Sequence, residues 1–156
     1  MVQGRLEGKV AIVTGSGHGI GRCEALALAA QGASLVIADF GSNAEGRKLA
    51  DVVVDEIVAA GSKAVAATED LSKSEGAQRT IEAAIDAFGG LDILVNNAGM
   101  RGGNPVDRLT DEQWDLVVGT HLKASFLTIK HAVPHLRVRG GGSIVNTGSE
   151  AGLGMV

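Results

Sequence analysis

The tightest constraint on this chain is a cluster of four glycines in seven residues, Gly15-Ser16-Gly17-His18-Gly19-Ile20-Gly21. Glycine reaches positive φ without a steric cost and lets two backbones, or a backbone and a ligand, approach closely. Such a cluster weakens a helix or strand interior, so it marks a turn. Before it stands Val10-Ala11-Ile12-Val13-Thr14, a strand by its β-branched content, and after it a helix-forming segment begins at Arg22. Strand, glycine turn and helix make the first half of a βαβ unit. The helix N-terminus in such a unit offers unpaired N–H groups and the positive end of a dipole to an anion.

Four further apolar runs follow, at residues 35–39, 64–69, 92–96 and 143–147. Continuous apolar character over so few residues suits strands buried on both faces of a parallel sheet. Helical segments separate the runs. Ser72-Lys73-Ser74-Glu75 and Thr110-Asp111-Glu112-Gln113 read as capping boxes. Gly32, Gly61 and Gly89 fall where helices need left-handed C-terminal caps. The expected fold is α/β: a Rossmann-type doubly wound parallel sheet with right-handed crossovers, five strands and four helices.

Asp39, at the end of the second run, lies 20 residues beyond Gly19. That is the spacing of a carboxylate that binds the adenine-ribose hydroxyls of a dinucleotide. A 2′-phosphate beside it would meet repulsion of roughly 4 kcal/mol per charge pair at about 4 Å and intermediate dielectric. Phe40 brings no compensating charge, and His18 brings at most a partial one. NAD is therefore the expected cofactor, with NADP less favoured. A P-loop is excluded because no Lys-Ser/Thr pair stands at the required distance from a loop glycine. A hydrolase nucleophile elbow is excluded because Ser16, Ser143 and Ser149 all lack the flanking glycines.

The formal charge of −4 gives no reason to expect nucleic acid or an anionic membrane as partner. The longest apolar runs are too short for a membrane span, and a single cysteine builds neither a disulfide framework nor a Cys-rich metal site. A cytoplasmic location and no metal are the corresponding expectations. His131 and His135 share a helical face without a third ligand nearby. Cys23 and Trp114 are expected to pack, and Arg101 to be a solvated loop residue.

The spacing Gly15-x-x-x-Gly19-x-Gly21, with Asn96-Asn97-Ala98-Gly99 after the fourth strand, resembles the short-chain dehydrogenase/reductase family, classical type. Asp70-Leu71, Trp114-Asp115, His121-Leu122, Phe126 and Gly142-Ser143-Ile144-Val145-Asn146-Thr147-Gly148-Ser149 extend the likeness over nearly the whole chain. The resemblance implies an oxidoreductase moving a hydride between nicotinamide and a secondary alcohol or ketone. It implies cofactor contacts from Gly15, Ser16, Gly17, His18, Gly19, Ile20, Gly21, Asp39, Phe40, Asp70, Leu71, Asn97, Ala98 and Gly99. Ser149 stands where the family has the serine that binds the reacting oxygen. His121 replaces an Asn that relays protons. His121-Leu122-Lys123-Ala124-Ser125-Phe126 and Asp39-Phe40-Gly41 loosely resemble the (3R)-hydroxyacyl-CoA dehydrogenase domains of peroxisomal multifunctional enzymes, which use NAD. A 3-hydroxyacyl thioester is thus one candidate substrate.

The family's catalytic Tyr and Lys would fall near positions 162 and 166, beyond Val156. Residues 1–156 are accordingly expected to be a single NAD-binding Rossmann domain, incomplete at the C-terminus and inactive as it stands. The alternative is a catalytically incompetent dinucleotide-binding or interaction module ending at Val156. Family members pair subunits through the helix expected at 111–137, which implies a homodimer or homotetramer in the full-length form. Leu116, Val117 and Phe126 are then expected to lack partners in this chain.

Overall fold

The computed structural model describes residues 4–100 and 104–150. Arg101 lies outside them. Five strands, β1 (Val10–Thr14), β2 (Ser34–Ala38), β3 (Ala64–Ala67), β4 (Ile93–Asn96) and β5 (Ser143–Asn146), form one sheet in the order β3-β2-β1-β4-β5. Every pairing is parallel. The helices are α1 (Gly19–Ala30), α2 (Leu49–Ala59), α3 (Ser74–Phe88), α4 (Asp111–Val118) and α5 (Ala124–Val138). A π-helical turn at Gly119–Lys123 joins α4 to α5, so the fourth helix expected at 111–137 is one helical run with a widened turn inside it. The fold is the expected Rossmann-type α/β sheet.

Period-2 alternation along the strands divides the core into two layers. Ala11 and Val13, with Leu35 and Ile37, pack against Ala25 and Ala29 of α1 and Val53 and Ile57 of α2. Val10, Ile12, Val36 and Leu94 face Ile81 and Ala84 of α3 and Ala132 and Leu136 of α5. All of these residues are buried, which is why the strands read as unbroken apolar runs.

Three strands stop before their apolar runs do. Asp39, Glu69 and Thr147 lie just past the strands at the C-terminal edge of the sheet, where Asp39 and Thr147 still donate N–H groups to Ala67 O and Asn96 O. Gly32, Gly61 and Gly89 take φ of 94°, 86° and 77°, as the helix stops require. The Thr110 capping box forms, with Gln113 reciprocating. The one expected at Ser72 does not. Asp70 Oδ1 takes both the Ser72 hydroxyl, at 2.6 Å, and the Ser72 N–H, at 2.9 Å. The N-cap of α3 is Lys73, without a side-chain cap. A nearby carboxylate has outcompeted the helix for the serine.

At the opposite edge Asp92 ties the sheet together. Its carboxylate accepts from Val10 N–H at 3.0 Å and Arg139 Nη2 at 2.9 Å, with Lys9 Nζ at 3.4 Å. Burial opposes its ionisation, but the Arg139 hydrogen bond, the Val10 amide and the two cations prevail and hold its pKa below the ordinary value. On the outside, Leu116 and Phe126 are exposed as expected, and all of β5 is exposed. Cys23, expected to pack, is exposed as well, and Trp114, expected to pack in the core or at an interface, is exposed and so not in the core. Both lie on helix faces turned away from the sheet.

Candidate dinucleotide cleft

Strand order reverses between β1 and β4, because β2 and β3 lie on one side of β1 while β4 and β5 lie on the other. The loops leaving the two strands diverge there, opening a crevice at their carboxyl ends. A cleft of about 240 Å³ occupies this place. Of the residues expected to hold the cofactor, Gly15, His18, Asp39, Phe40, Asp70, Leu71, Ala98 and Gly99 line it.

The loop after β1 is built by close approach. A Cβ on Gly21 would sit 2.4 Å from both Asn97 Nδ2 and Gly15 O, and one on Gly17 would sit 2.5 Å from Leu49 Cβ. Gly19, at φ 56°, faces open space instead. The helix it begins has His18 as N-cap with no side-chain hydrogen bond. The first N–H groups of α1 therefore keep their capacity for an outside acceptor, unlike those of α4. Ile20 is exposed beside them. Ser16 is wholly buried, donates its hydroxyl to Val13 O at 2.7 Å and its N–H to Ala38 O at 3.4 Å, and does not line the cleft.

Asp39 closes the far side of the loop. Its Oδ2 accepts Gly17 N–H at 3.0 Å and its Oδ1 accepts Gly41 N–H at 2.8 Å. His18 Nδ1 stands 3.7 Å from Oδ2. With two N–H groups bound, each oxygen retains lone-pair capacity for a hydroxyl. Asp70, across the cleft, is held by Ser72. The Ser72 hydroxyl above all lowers the Asp70 pKa, its N–H contributes, and Lys73 and Lys123 add favourable charge.

Asn96 and Asn97 face opposite ways at the end of β4. The Asn96 amide donates to Asn146 Oδ1 at 2.9 Å and its carbonyl accepts from Thr128 Oγ1 at 2.7 Å, joining β5 and α5. Asn97 Nδ2 donates to Thr14 O at 3.0 Å and Gly15 O at 3.3 Å, joining the two loops of the crevice. Thr14 returns the tie, its Oγ1 accepting Asn97 N–H at 3.0 Å and Ala98 N–H at 2.9 Å. Sequence reasoning passed over Thr14 as a strand residue. A buried hydroxyl ending an otherwise aliphatic run was the available signal.

His121 projects from the π-helical turn. Its Nε2 lies 3.0 Å from Met100 N and 2.8 Å from Met100 O, so by tautomer it accepts from the one or donates to the other. A Cβ at Gly99 would sit 2.8 Å from His121 Cε1, so only glycine leaves room for the ring. Ser149 follows β5 at the same C-terminal edge. Thr120 and Ala124 join the cleft wall. They were not anticipated, because the sequence does not show which residues around the π turn border the cleft.

The residues present suit a dinucleotide: an open glycine turn, an uncapped helix end, and a nearly buried carboxylate at the end of β2. In doubly wound sheets of this order, ligands bind in the crevice at the carboxyl ends of the strands, where this cleft lies. Residues 9–156 match the family model for short chain dehydrogenase. The chain belongs to the short-chain dehydrogenase family, whose members use nicotinamide cofactors. It is 43% identical over 153 residues to a peroxisomal hydratase-dehydrogenase-epimerase of Neurospora crassa, covering 96% of this chain and 17% of that protein. It is 41% identical to hydroxyacyl-CoA dehydrogenase ChsB1 of Mycobacterium tuberculosis, covering 95% and 49%. It is also 41% identical to a cyclohexanol dehydrogenase of an Acinetobacter species, covering 98% and 59%. A crystal structure of a short chain dehydrogenase from Mycobacterium avium superposes with a TM-score of 0.89 at 42% identity, covering 96% of this chain and 55% of that one. The chain thus spans at most about three-fifths of the length of these relatives. Among the described residues no helix is long and apolar enough to cross a membrane.

Proposed function

We propose that this chain is the cofactor-binding part of an NAD-dependent dehydrogenase acting on a secondary alcohol or ketone, with a 3-hydroxyacyl thioester as the leading substrate class. The observation that carries the cofactor reading is Asp39: its carboxylate borders the cleft and is oriented by Gly17 and Gly41 amides. Bound NAD supplies a hydride-accepting nicotinamide. The Gly15–Gly21 turn and the first amides of α1 bind its pyrophosphate, Asp39 takes the adenine-ribose hydroxyls, and Asp70 with Leu71 borders the adenine. Ala98 and Gly99 form the wall toward the nicotinamide, and Asn97 holds that wall in place. Ser149 hydrogen-bonds the reacting oxygen, and His121 positions the segment around Met100 next to it.

The thioester reading rests on two relatives, named for hydratase-dehydrogenase-epimerase and hydroxyacyl-CoA dehydrogenase activity, together with the His121–Phe126 segment. The cyclohexanol dehydrogenase keeps a simple alcohol as the second reading. Exposed Trp114, Leu122 and Phe126 along α4 and α5 support subunit pairing as a homodimer or homotetramer. A cytoplasmic location is part of the same proposal.

Calorimetric titration of the chain with NAD and NADP tests the cofactor reading. Saturable NAD binding that is abolished by Asp39→Ala while the fold is retained supports it; indifference to Asp39 refutes it. Sequencing the gene past codon 156 tests the enzymatic reading. A Tyr-x-x-x-Lys with Tyr near position 162 is expected, and its absence there would favour a binding module.

A further inference from the structure

The helical run from α4 to α5 has two faces with different surroundings. Toward the sheet, Thr120 and Ala124 border the dinucleotide cleft. Thr120 and His121 reach Met100, the neighbour of the cleft residue Gly99. Outward, Leu116 and Phe126 are exposed on either side of the π turn. Of the five α-helices, α4 alone buries none of its residues. It is held through the π turn and its own capping box rather than by a core. Few buried contacts put such a segment at the low-stability end of a domain.

Charge along the run shows what fits this outer face. Asp111, Glu112 and Asp115 stand at its start, with no Lys or Arg between Leu109 and Leu122. Lys123, Lys130 and Arg137 follow, with no Asp or Glu between Leu116 and Ser149. A run divided in this way is complementary to itself laid antiparallel, which is the arrangement a twofold axis produces. With the axis near His121, Leu116 of one copy meets Phe126 of the other, and Glu112 meets Lys130. Glu112 and Leu116 are four residues apart in α4, as Phe126 and Lys130 are in α5, so each pair shares a helix face.

We infer that a second copy of this chain docks on this face, and that docking and cofactor binding are linked through the π turn, each strengthening the other. The inference rests on the NAD and subunit-pairing readings above and adds the coupling between them. A copy that covers Leu116 and Phe126 fixes α4 and the turn behind it, and with them the cleft wall at Thr120, Ala124 and Gly99. Cofactor filling the cleft fixes the same turn from inside. Whichever arrives second finds part of the ordering already done, which is positive coupling without a change of fold. Reciprocity makes the factor the same in both directions. A dimer holds two clefts, so the factor at one cleft enters the dimerisation constant squared.

The test combines two measurements on the chain. Sedimentation velocity gives the dimerisation constant with and without saturating NAD, and calorimetry gives NAD affinity at chain concentrations below and above that constant. Dimerisation is expected to tighten NAD about fivefold at each cleft, and NAD to tighten the dimer about 25-fold. Glu112→Lys and Lys130→Glu should each leave a monomer that binds NAD with the weaker affinity. Combining them restores opposite charges and should restore both the dimer and the tighter binding. In the monomeric Glu112→Lys chain, NAD should still slow hydrogen exchange at the Gly119–Lys123 amides. A dimer whose constant ignores NAD, or one that survives both single reversals, overturns the inference and leaves the cofactor reading standing. So does a chain that binds NAD and stays monomeric. If the chain binds no NAD, the cofactor reading falls and the coupling with it.

Discussion

Replacing Thr14 with Val removes one oxygen and changes almost nothing else in shape. That oxygen is only 2% accessible at the residue level and accepts two main-chain N–H groups, from Asn97 and Ala98. A buried N–H left without an acceptor costs about 1–3 kcal/mol. Both amides belong to half-buried residues, so the lower half of that range applies to each, giving about 2–4 kcal/mol in all. For a domain of this length each kcal/mol corresponds to about 2–4 °C in Tm, so a fall of about 4–16 °C is expected in a thermal melt. The same change loosens Ala98 against the cleft and should weaken NAD binding several-fold. Hydrogen exchange locates the effect, since the Asn97 and Ala98 amides should lose protection while those of Ile12 and Val36 keep theirs. A Thr14→Val chain that melts within a degree of wild type, with the two amides still protected, would refute the idea that this hydroxyl holds the two loops together.

The glycines of the turn should separate by role. Gly21→Ala places a Cβ 2.4 Å from two polar atoms and should destabilise the fold by about 1–3 kcal/mol in urea denaturation. Gly19→Ala meets no atom but must hold φ near 56°, so it should cost about 1 kcal/mol and act mainly on cofactor affinity. Asp92 gives a pH signature. Its pKa is lowered in the folded chain, so the stability it contributes is present above the unfolded carboxylate value of about 4 and is lost as pH falls through the folded value. Asp92→Asn should therefore destabilise at pH 7 by about 1–2 kcal/mol, discounted because Lys9 and Arg139 are partly in solvent. The gap to wild type should close below about pH 4 in urea melts followed by circular dichroism.

The sheet was legible because its strands are buried on both faces, which writes them as short aliphatic runs of a kind no amphipathic helix shows. Val10–Thr14 was readable to the residue for that reason. Asp39, Glu69 and Thr147 were not separable from their strands, since polarity at the end of a run marks both a last ladder residue and the first residue of a site. The capping boxes divide on the same ground. Thr110 meets only its own helix, whereas Ser72 is taken by Asp70, two residues back, a competition that propensity alone does not weigh. The π turn at Gly119–Lys123 was invisible because the contacts that accompany it are tertiary: His121 and Thr120 both reach Met100 on another loop.

Most of the site's polar side chains hold the protein's own backbone. Ser16, Thr14, Asn97 and one bond from each Asp39 oxygen are all spent on main-chain groups. What the cleft leaves toward a ligand is chiefly amide N–H at the start of α1, open space above Gly19, and the remaining lone pairs of two carboxylates. Such groups suit phosphate and ribose, which recur in every dinucleotide, and carry little that would select a second ligand. The twin asparagines show how this division is built. Adjacent at the point where β4 ends, they face opposite ways, so Asn96 fastens the β5 side that leads to Ser149 while Asn97 fastens the glycine turn. The glycine turn and the β5 edge are thus braced from a single point at the end of β4, and a change at either asparagine should disturb one half of the cleft before the other.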